Sequence, residues 1–203
     1  MAVKTEAKRQ AILNIAEKAF QELGFERTSM SEICARVGGS KSTIYNYFAS
    51  KEELFFETIH VSIQADFDAA FTAINPASDD IARSLRNYGE NFLSILYNPH
   101  IRANRHLAIA ESGRTALGRI VYERGVLNNL KLISEVLQRA MSLGKLRQAD
   151  PVLAAKQLHC LLEAELLDRF LFQVLEEVSS EEIREITARG IDAFMAIYGV
   201  RQG

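Results

Sequence analysis

SMSEICARVGGSKSTIYNYFASKEEL, residues 29–54, is the stretch that decides the fold. Ser29-Met30-Ser31-Glu32 opens it as a capping box, in which the Ser hydroxyl accepts from the amide three residues on and Glu32 reaches back to the cap amide. Met30, Ile33, Cys34 and Val37 supply the apolar face of a short helix, and Gly38-Gly39 stops it. Ser40 caps a second short helix, Lys41 to Phe48, with Ile44 and Phe48 on one side. Ser50-Lys51-Glu52-Glu53 is a further capping box and opens a longer helix through Phe71.

Working outward, Ile12, Ile15, Ala16, Ala19 and Leu23 form one helical stripe ahead of this stretch. Gly24 follows it, where a left-handed residue is favoured, and Phe25 is placed to fold back onto the helix end. A supporting helix, then two short helices joined by a glycine turn, make a helix-turn-helix. The side of the second short helix away from Ile44 carries Lys41, Ser42, Thr43, Tyr45, Asn46 and Tyr47, all hydrogen-bonding side chains. Short polar side chains near a helix N-terminus suit base edges in a major groove. Tyr hydroxyls, Lys51 and helix amides suit phosphate oxygens.

Charge and composition agree with this. Residues 1–52 carry a net +2 in a chain of net −2, so the remainder carries −4. The asymmetry points to an N-terminal surface that meets an anion, while the low overall charge speaks against a sequence-independent architectural DNA binder. The 203 residues are 48% hydrophobic and 25% charged, which excludes collagen, low-complexity disorder and a disulfide mini-protein. Cys34 and Cys160 lie far apart, in keeping with a reduced, cytoplasmic setting and with no metal cluster. The N-terminal residues lack the apolar run of a signal peptide, and no run is long enough to span a membrane. His60, His100, His106 and His159 form no metal-binding pattern, and no phosphate-binding glycine loop occurs, so neither catalysis nor a cofactor is expected.

Beyond the fourth helix the chain reads as helices with clear breaks. Asn75-Pro76 ends that helix, and Ser78, Asp79 and Asp80 start another through Tyr97. Pro99 suits the first turn of the next, interrupted at Ser112-Gly113. A long pattern from Thr115 to Leu143 is bent or broken at Gly125 and stopped by Gly144. Asp150-Pro151 caps a helix to Leu175, Ser179 to Glu182 is another capping box, and the last helix ends at Tyr198 with Gly199 as its left-handed stop. No internal repeat and no strand alternation stand out. The expected fold is all-α: a helix-turn-helix domain over residues 1–50, then a larger helical domain over 51–203 whose first helix, 51–72, is the connector.

The run AILNIAEKAFQELGFERTSMSEICARVGGSKSTIYNYFASKEEL, residues 11–54, resembles the DNA-binding domain of TetR-family transcriptional regulators. The segment STIYNYFASKEEL is nearest to the family pattern. Gly39 stands where a small aliphatic residue is common, Ser42 where glycine is common and Cys34 where alanine is usual. Ser42 therefore adds a hydroxyl beside the DNA, and Cys34 reads as a small core residue. Further on, the run from Tyr122 to Phe172 is similar, more weakly, to the ligand-binding halves of AcrR- and AefR-like members.

This resemblance implies a cytoplasmic homodimer, not an enzyme, that binds a palindromic operator in double-stranded DNA and represses transcription. Half-sites then lie roughly 34–40 Å apart. By position, Lys41, Ser42, Thr43 and Asn46 go to the groove, with Ser40 capping the helix beside them. Thr28, Ser29, Tyr45, Tyr47 and Lys51 go to phosphate, with core packing the alternative for Tyr45 and capping the main role of Ser29. Lys4, Lys8 and Arg9 offer added attraction to DNA or a plain solvated face.

The resemblance also implies a pocket for an apolar or amphipathic small molecule. Phe67, Phe71, Phe92, Leu96, Ile109 and Ile133 are candidate walls, and His106, Glu111, Asn129 and Glu163 candidate polar contacts. Glu163 with Glu165 would suit a cationic ligand, and Glu165 is also spaced to pair with Arg169. The helix from Leu158 to Leu175 is apolar on almost every side, so it reads as buried on two sides, one of them against a second subunit. Leu162, Leu166, Phe170, Ile191, Phe194 and Met195 are the expected dimer contacts, with one large monomer core as the competing reading.

Overall fold

The computed structural model describes residues 5–38 and 40–200; Lys4 and the turn residue Gly39 lie outside the described residues. The elements are α1 (Glu6–Arg27), α2 (Met30–Val37), α3 (Lys41–Tyr45), α4 (Lys51–Thr72), α5 (Ile81–Leu96), α6 (Pro99–Glu111), α7 (Leu117–Ile120), α8 (Leu127–Ser142), α9 (Pro151–Glu163), α10 (Leu167–Leu171) and α11 (Ser180–Tyr198). Among the described residues there is no strand, only one antiparallel bridge between Leu146 and Gly199. The fold is all-α, as the sequence predicts.

Two compact units divide the chain: residues 1–63 with 108–122, and residues 64–107 with 123–203. The first extends past residue 50 and takes in the end of α6 and all of α7. Helix α4 contributes its first half to one unit and its second half to the other.

In the first unit Gly24 (φ +75°) interrupts α1, and Phe25 folds back as its position predicts. Its ring lies 6.1 Å from Phe20 and 5.1 Å from Phe55. Ile12, Ala16, Ile33, Ile44, Phe48 and Leu54 complete the core, which also holds Cys34. The caps fall as read: Ser29 Oγ accepts from Glu32 N–H, Ser40 Oγ from Thr43 N–H and Ser50 Oγ from Glu53 N–H. Glu53 reaches back to the Ala49 amide, 2.8 Å away, whereas Glu32 turns instead to Arg36. Gly38 (φ +70°) is the left-handed stop of α2. Helix α3 is shorter than the expected Lys41 to Phe48, but Tyr47 and Phe48 N–H still donate to Ile44 O, so the chain stays coiled to Phe48.

In the second unit α5, α9 and α11 pack together, with α8 against α9. Glycines permit the closest crossings. A Cβ on Gly89 would lie 2.7 Å from Thr187 and 2.8 Å from Leu162, and one on Gly190 would lie 3.0 Å from Leu161 O. Asp150 caps α9 over Pro151, and Ser179 caps α11. Asp80, one of the three residues expected to start α5, caps it. Three expectations are corrected. The pattern around Gly125 is not cut; the chain widens into π-helical turns over Val121–Val126 and runs on into α8. The helix expected from Pro151 to Leu175 ends at Glu163 and resumes as the short α10, which keeps Leu166 and Phe170 in the core. Gly199 is extended (φ −64°, ψ 145°), because it pairs with Leu146 and sits against the last turn of α11.

Candidate nucleic-acid interface and polar core

Ile44 and Phe48 anchor α3 in the first unit, which turns its opposite side outward. Ser40, Lys41, Ser42, Tyr45 and Asn46 are exposed there, Tyr45 at 49%. Thr43 is half-buried beside them, with Ser40 Oγ 2.9 Å from both Ser42 Oγ and Thr43 Oγ1. Ser29 is exposed at the start of α2.

Three residues expected at phosphate have partners inside the unit. Thr28 is buried, and its hydroxyl donates to Gly24 O at 2.7 Å, closing the end of α1. Lys51 Nζ donates to Phe25 O at 2.9 Å and lies 4.1 Å from the Phe25 ring centre, which ties the start of α4 to the end of α1. Tyr47 is half-buried and its hydroxyl accepts from Thr5 N–H, 3.1 Å away, at the cap of α1. Sequence position names the residue but not its rotamer, so these roles were not legible. Arg9 is paired with the buried Glu57, while Lys8 is exposed.

The candidate ligand residues divide. Phe67, Phe71 and Phe92 meet in one aromatic cluster in the second unit: Phe67 is 6.4 Å from Phe71 and 6.5 Å from Phe92. Two residues the sequence reading did not propose for this site complete it. Tyr88 is 5.5 Å from Phe71 and 5.6 Å from Phe92, and the His159 ring is 4.4 Å from Phe92. Tyr88 Oη and His159 Nε2 are 2.8 Å apart. Below them Glu163 accepts from Tyr97 Oη at 2.8 Å and from Arg105 at 2.9 Å. The i, i+4 spacing of Tyr88 with Phe92, and of His159 with Glu163, was the available signal.

His106 stacks on Phe170 at 4.1 Å, and burial with Arg102 and Arg105 nearby lowers its pKa. Ile133 is fully buried in α8, and Leu96 and Asn129 are half-buried. Ile109 and Glu111 belong to the first unit; Ile109 is 50% exposed, and Glu111 is buried against Arg114. Glu165 is exposed and holds Arg189 through two bonds of 2.8 and 2.9 Å rather than Arg169, which pairs with Glu182. Both carboxylates of the cationic-ligand reading are thus already neutralised.

Burial pushes the Tyr88 hydroxyl pKa up and brings His159 down to about 4, so both are neutral at pH 7. A histidine whose folded pKa is depressed contributes full stability above its unfolded pKa of ~6.5 and loses it as pH falls toward the folded value, by up to about 3 kcal/mol. Urea unfolding at pH 7 and pH 4.5 measures this. His159→Gln, neutral at both pH values and still able to accept from Tyr88, is expected to flatten part of the loss; an unchanged loss would contradict it.

The expected dimer contacts are corrected. Leu162, Leu166, Phe170, Ile191 and Phe194 are core residues of the second unit, and Met195 is half-buried. The outward stripe of the same region is Leu153, Cys160, Ala164, Leu167, Leu171 and Val174, with Phe172 78% exposed beside it. On α11 the outward apolar residues are Ala193, Ala196 and Ile197.

Known proteins share this fold. Residues 12–58 match the family model for bacterial regulatory proteins of the tetR family, and residues 83–200 match that for the C-terminal domain of AefR-like transcriptional repressors. A TetR-family regulator structure from Mesorhizobium loti is 28% identical, with a TM-score of 0.79 over 97% of this chain and 100% of that one. The flavonoid-responsive regulator FrrA is 27% identical, with a TM-score of 0.75 over 98% of this chain and 100% of its own. The HTH-type regulator YhgD of Bacillus subtilis, itself uncharacterized, is 27% identical over 73% of this chain and 76% of its own length.

The chain belongs to the TetR family of transcriptional regulators, with an AefR-like C-terminal domain. It is a DNA-binding helix-turn-helix protein, and its relatives are regulators rather than enzymes. Among the described residues no helix is long and apolar enough to cross a membrane, and no group of three side chains is placed to hold a metal ion.

Proposed function

We propose that this protein is a cytoplasmic repressor that binds a palindromic operator as a homodimer and is released by a small molecule. The observation that carries the DNA half is the outward face of α3, with Ser42, Tyr45 and Asn46 beside Lys41 and the half-buried Thr43. Ser40, Lys41, Ser42, Thr43 and Asn46 work at the groove, and Ser29 and Tyr45 at phosphates; Thr28, Tyr47 and Lys51 hold the helices that present them. Domain roles follow: residues 1–50 read DNA, and residues 51–203 bind ligand and partner. Selection of the full-length protein against random duplexes tests this reading. A palindrome with half-sites about one helical turn apart is expected, and a folded protein that enriches none would overturn it.

The proposed partner is a second copy, seated on the outward stripe of α9, α10 and α11. Small residues such as Ala164, Ala193 and Ala196 permit the close helix approach of a four-helix contact. Leu171→Glu, at an exposed site, is expected to give a folded monomer in sedimentation, whereas a persisting dimer would remove this face from the interface.

The proposed ligand is a neutral aromatic molecule beside Phe67, Phe71, Phe92, Tyr88 and His159. The neutral histidine and the paired Glu163 support this over a cation, and FrrA, by its name, responds to flavonoids. Phe67 and Phe71 lie in the C-terminal half of the continuous helix α4. A ligand that binds better when α4 is displaced changes the spacing of the two recognition helices, and a coupling of about 1–3 kcal/mol weakens operator binding roughly 5–150-fold.

A further inference from the structure

We propose that His159 and Glu163 give the ligand two polar anchors one helical turn apart, an N–H donor and a carboxylate oxygen, so that the molecule they fit is an aromatic ketone that also carries a hydroxyl group. The proposal rests on the aromatic-ligand reading of this cluster and deepens it by naming the ligand's polar chemistry.

The donor follows from Tyr88. Its side chain is fully buried, and its hydroxyl has one partner among the described residues, His159 Nε2 at 2.8 Å. A buried hydroxyl hydrogen with no acceptor keeps its whole desolvation cost, so Tyr88 donates and Nε2 accepts. His159 is neutral at pH 7, since burial brings its pKa down to about 4. A neutral imidazole has a single N–H. With Nε2 accepting, that N–H is on Nδ1. Nδ1 makes no hydrogen bond among the described residues. The sealed side-chain atoms without a partner there are Asn104 Nδ2 and Thr187 Oγ1. His159 Nδ1 is not one of them and the residue is half-buried, so the N–H is open to an entering molecule.

The acceptor lies on the same side of α9. Glu163 is four residues on, about 6 Å along the helix axis. Tyr97 Oη and Arg105 both reach its Oε1, at 2.8 and 2.9 Å. Oε2 takes no bond among the described residues and is not sealed either. Arg105 already offsets the charge, so the lone pairs of Oε2 suit a neutral hydroxyl rather than a cation. Ring surface flanks both anchors: Phe92 stacks on His159 at 4.4 Å, and Phe67 is 6.5 Å from Phe92. In such sites apolar area supplies affinity and a few polar groups fix orientation. A ketone oxygen accepts from Nδ1–H, and a hydroxyl donates to Oε2. A pure hydrocarbon leaves both anchors unpaired, and a carboxylate on the ligand meets Glu163 as a like charge.

The test compares three probes of one shape on the full-length protein at about pH 6.5: diphenylmethane, benzophenone and 4-hydroxybenzophenone. Affinities follow from the rise of the unfolding midpoint with probe concentration. Benzophenone is expected to bind roughly fivefold more tightly than diphenylmethane, the worth of one hydrogen bond, and the hydroxyl to add roughly tenfold because its acceptor is charged. His159→Phe should close the first gap and keep the second; Glu163→Gln should close the second and keep the first. Nitrogen NMR of the wild-type His159 ring, which depends on no variant, should find the proton on Nδ1. A proton on Nε2, equal binding of the three probes, or gaps that persist in the variants would overturn the two anchors. Binding of none of the probes would overturn the aromatic-ligand reading beneath them, an outcome distinct from equal binding of all three.

Discussion

Asn46→Ala is expected to lower affinity for the selected operator by roughly 30-fold to 10⁴-fold without changing the melting temperature. A bidentate contact from an amide side chain to adenine discriminates by about 1–3 kcal/mol, and the proposed symmetric dimer would make it twice. Asn46 sits just past α3 with its side chain exposed, so alanine there disturbs no packing. The loss should be confined to the selected sequence. Affinity for scrambled duplex and the slope of binding against salt should stay unchanged, because phosphate contacts set both. Titration of labelled duplexes with wild-type and variant protein measures all three. An equal loss on selected and scrambled DNA would place Asn46 at a phosphate, and no loss would remove it from the interface.

Phe194→Ala is expected to destabilise the protein by about 3–5 kcal/mol, a large part of the ~5–15 kcal/mol that a domain holds. Phe194 is fully buried, with its ring 4.7 Å from Tyr198. Truncation removes a large buried ring from a closely packed core, and the cost adds a cavity term to the lost burial. The change should appear in urea unfolding as a lower midpoint with an unaltered slope, and by the same amount at low and high protein concentration. A loss that fades as concentration rises would return Phe194 to the dimer interface. A loss below about 1 kcal/mol would contradict the packing described.

These two residues show what the sequence makes legible. Asn46 lies in a stretch governed by local rules. Ser29, Ser40 and Ser50 cap, and Gly24 and Gly38 turn left-handed, because each answers to neighbours within four residues. Phe194 lies where the rules are long-range. The run from Leu158 to Leu175 is apolar all round, so periodicity does not say which side faces its own core. The approach of α11 at Gly190 and the break after Glu163 settle it, with Leu166 and Phe170 inside and Leu167 and Leu171 outside. The internal bonds of Thr28 and Lys51 are hard to read from sequence for a related reason. Each has a polar tip suited to phosphate, but each spends it on a carbonyl of the α1 terminus. The pairing of His159 with Tyr88 spans 71 positions and leaves no local mark in the sequence.

The most direct test of the account is the ratio of affinities for the selected palindrome and for a scrambled duplex of equal length, measured at physiological salt with dimeric full-length protein. A sequence-specific regulator should show a ratio of roughly 10³ or more. A ratio within about tenfold, with both affinities falling steeply and in parallel as salt rises, would mean that phosphates alone are being read and would contradict the central claim.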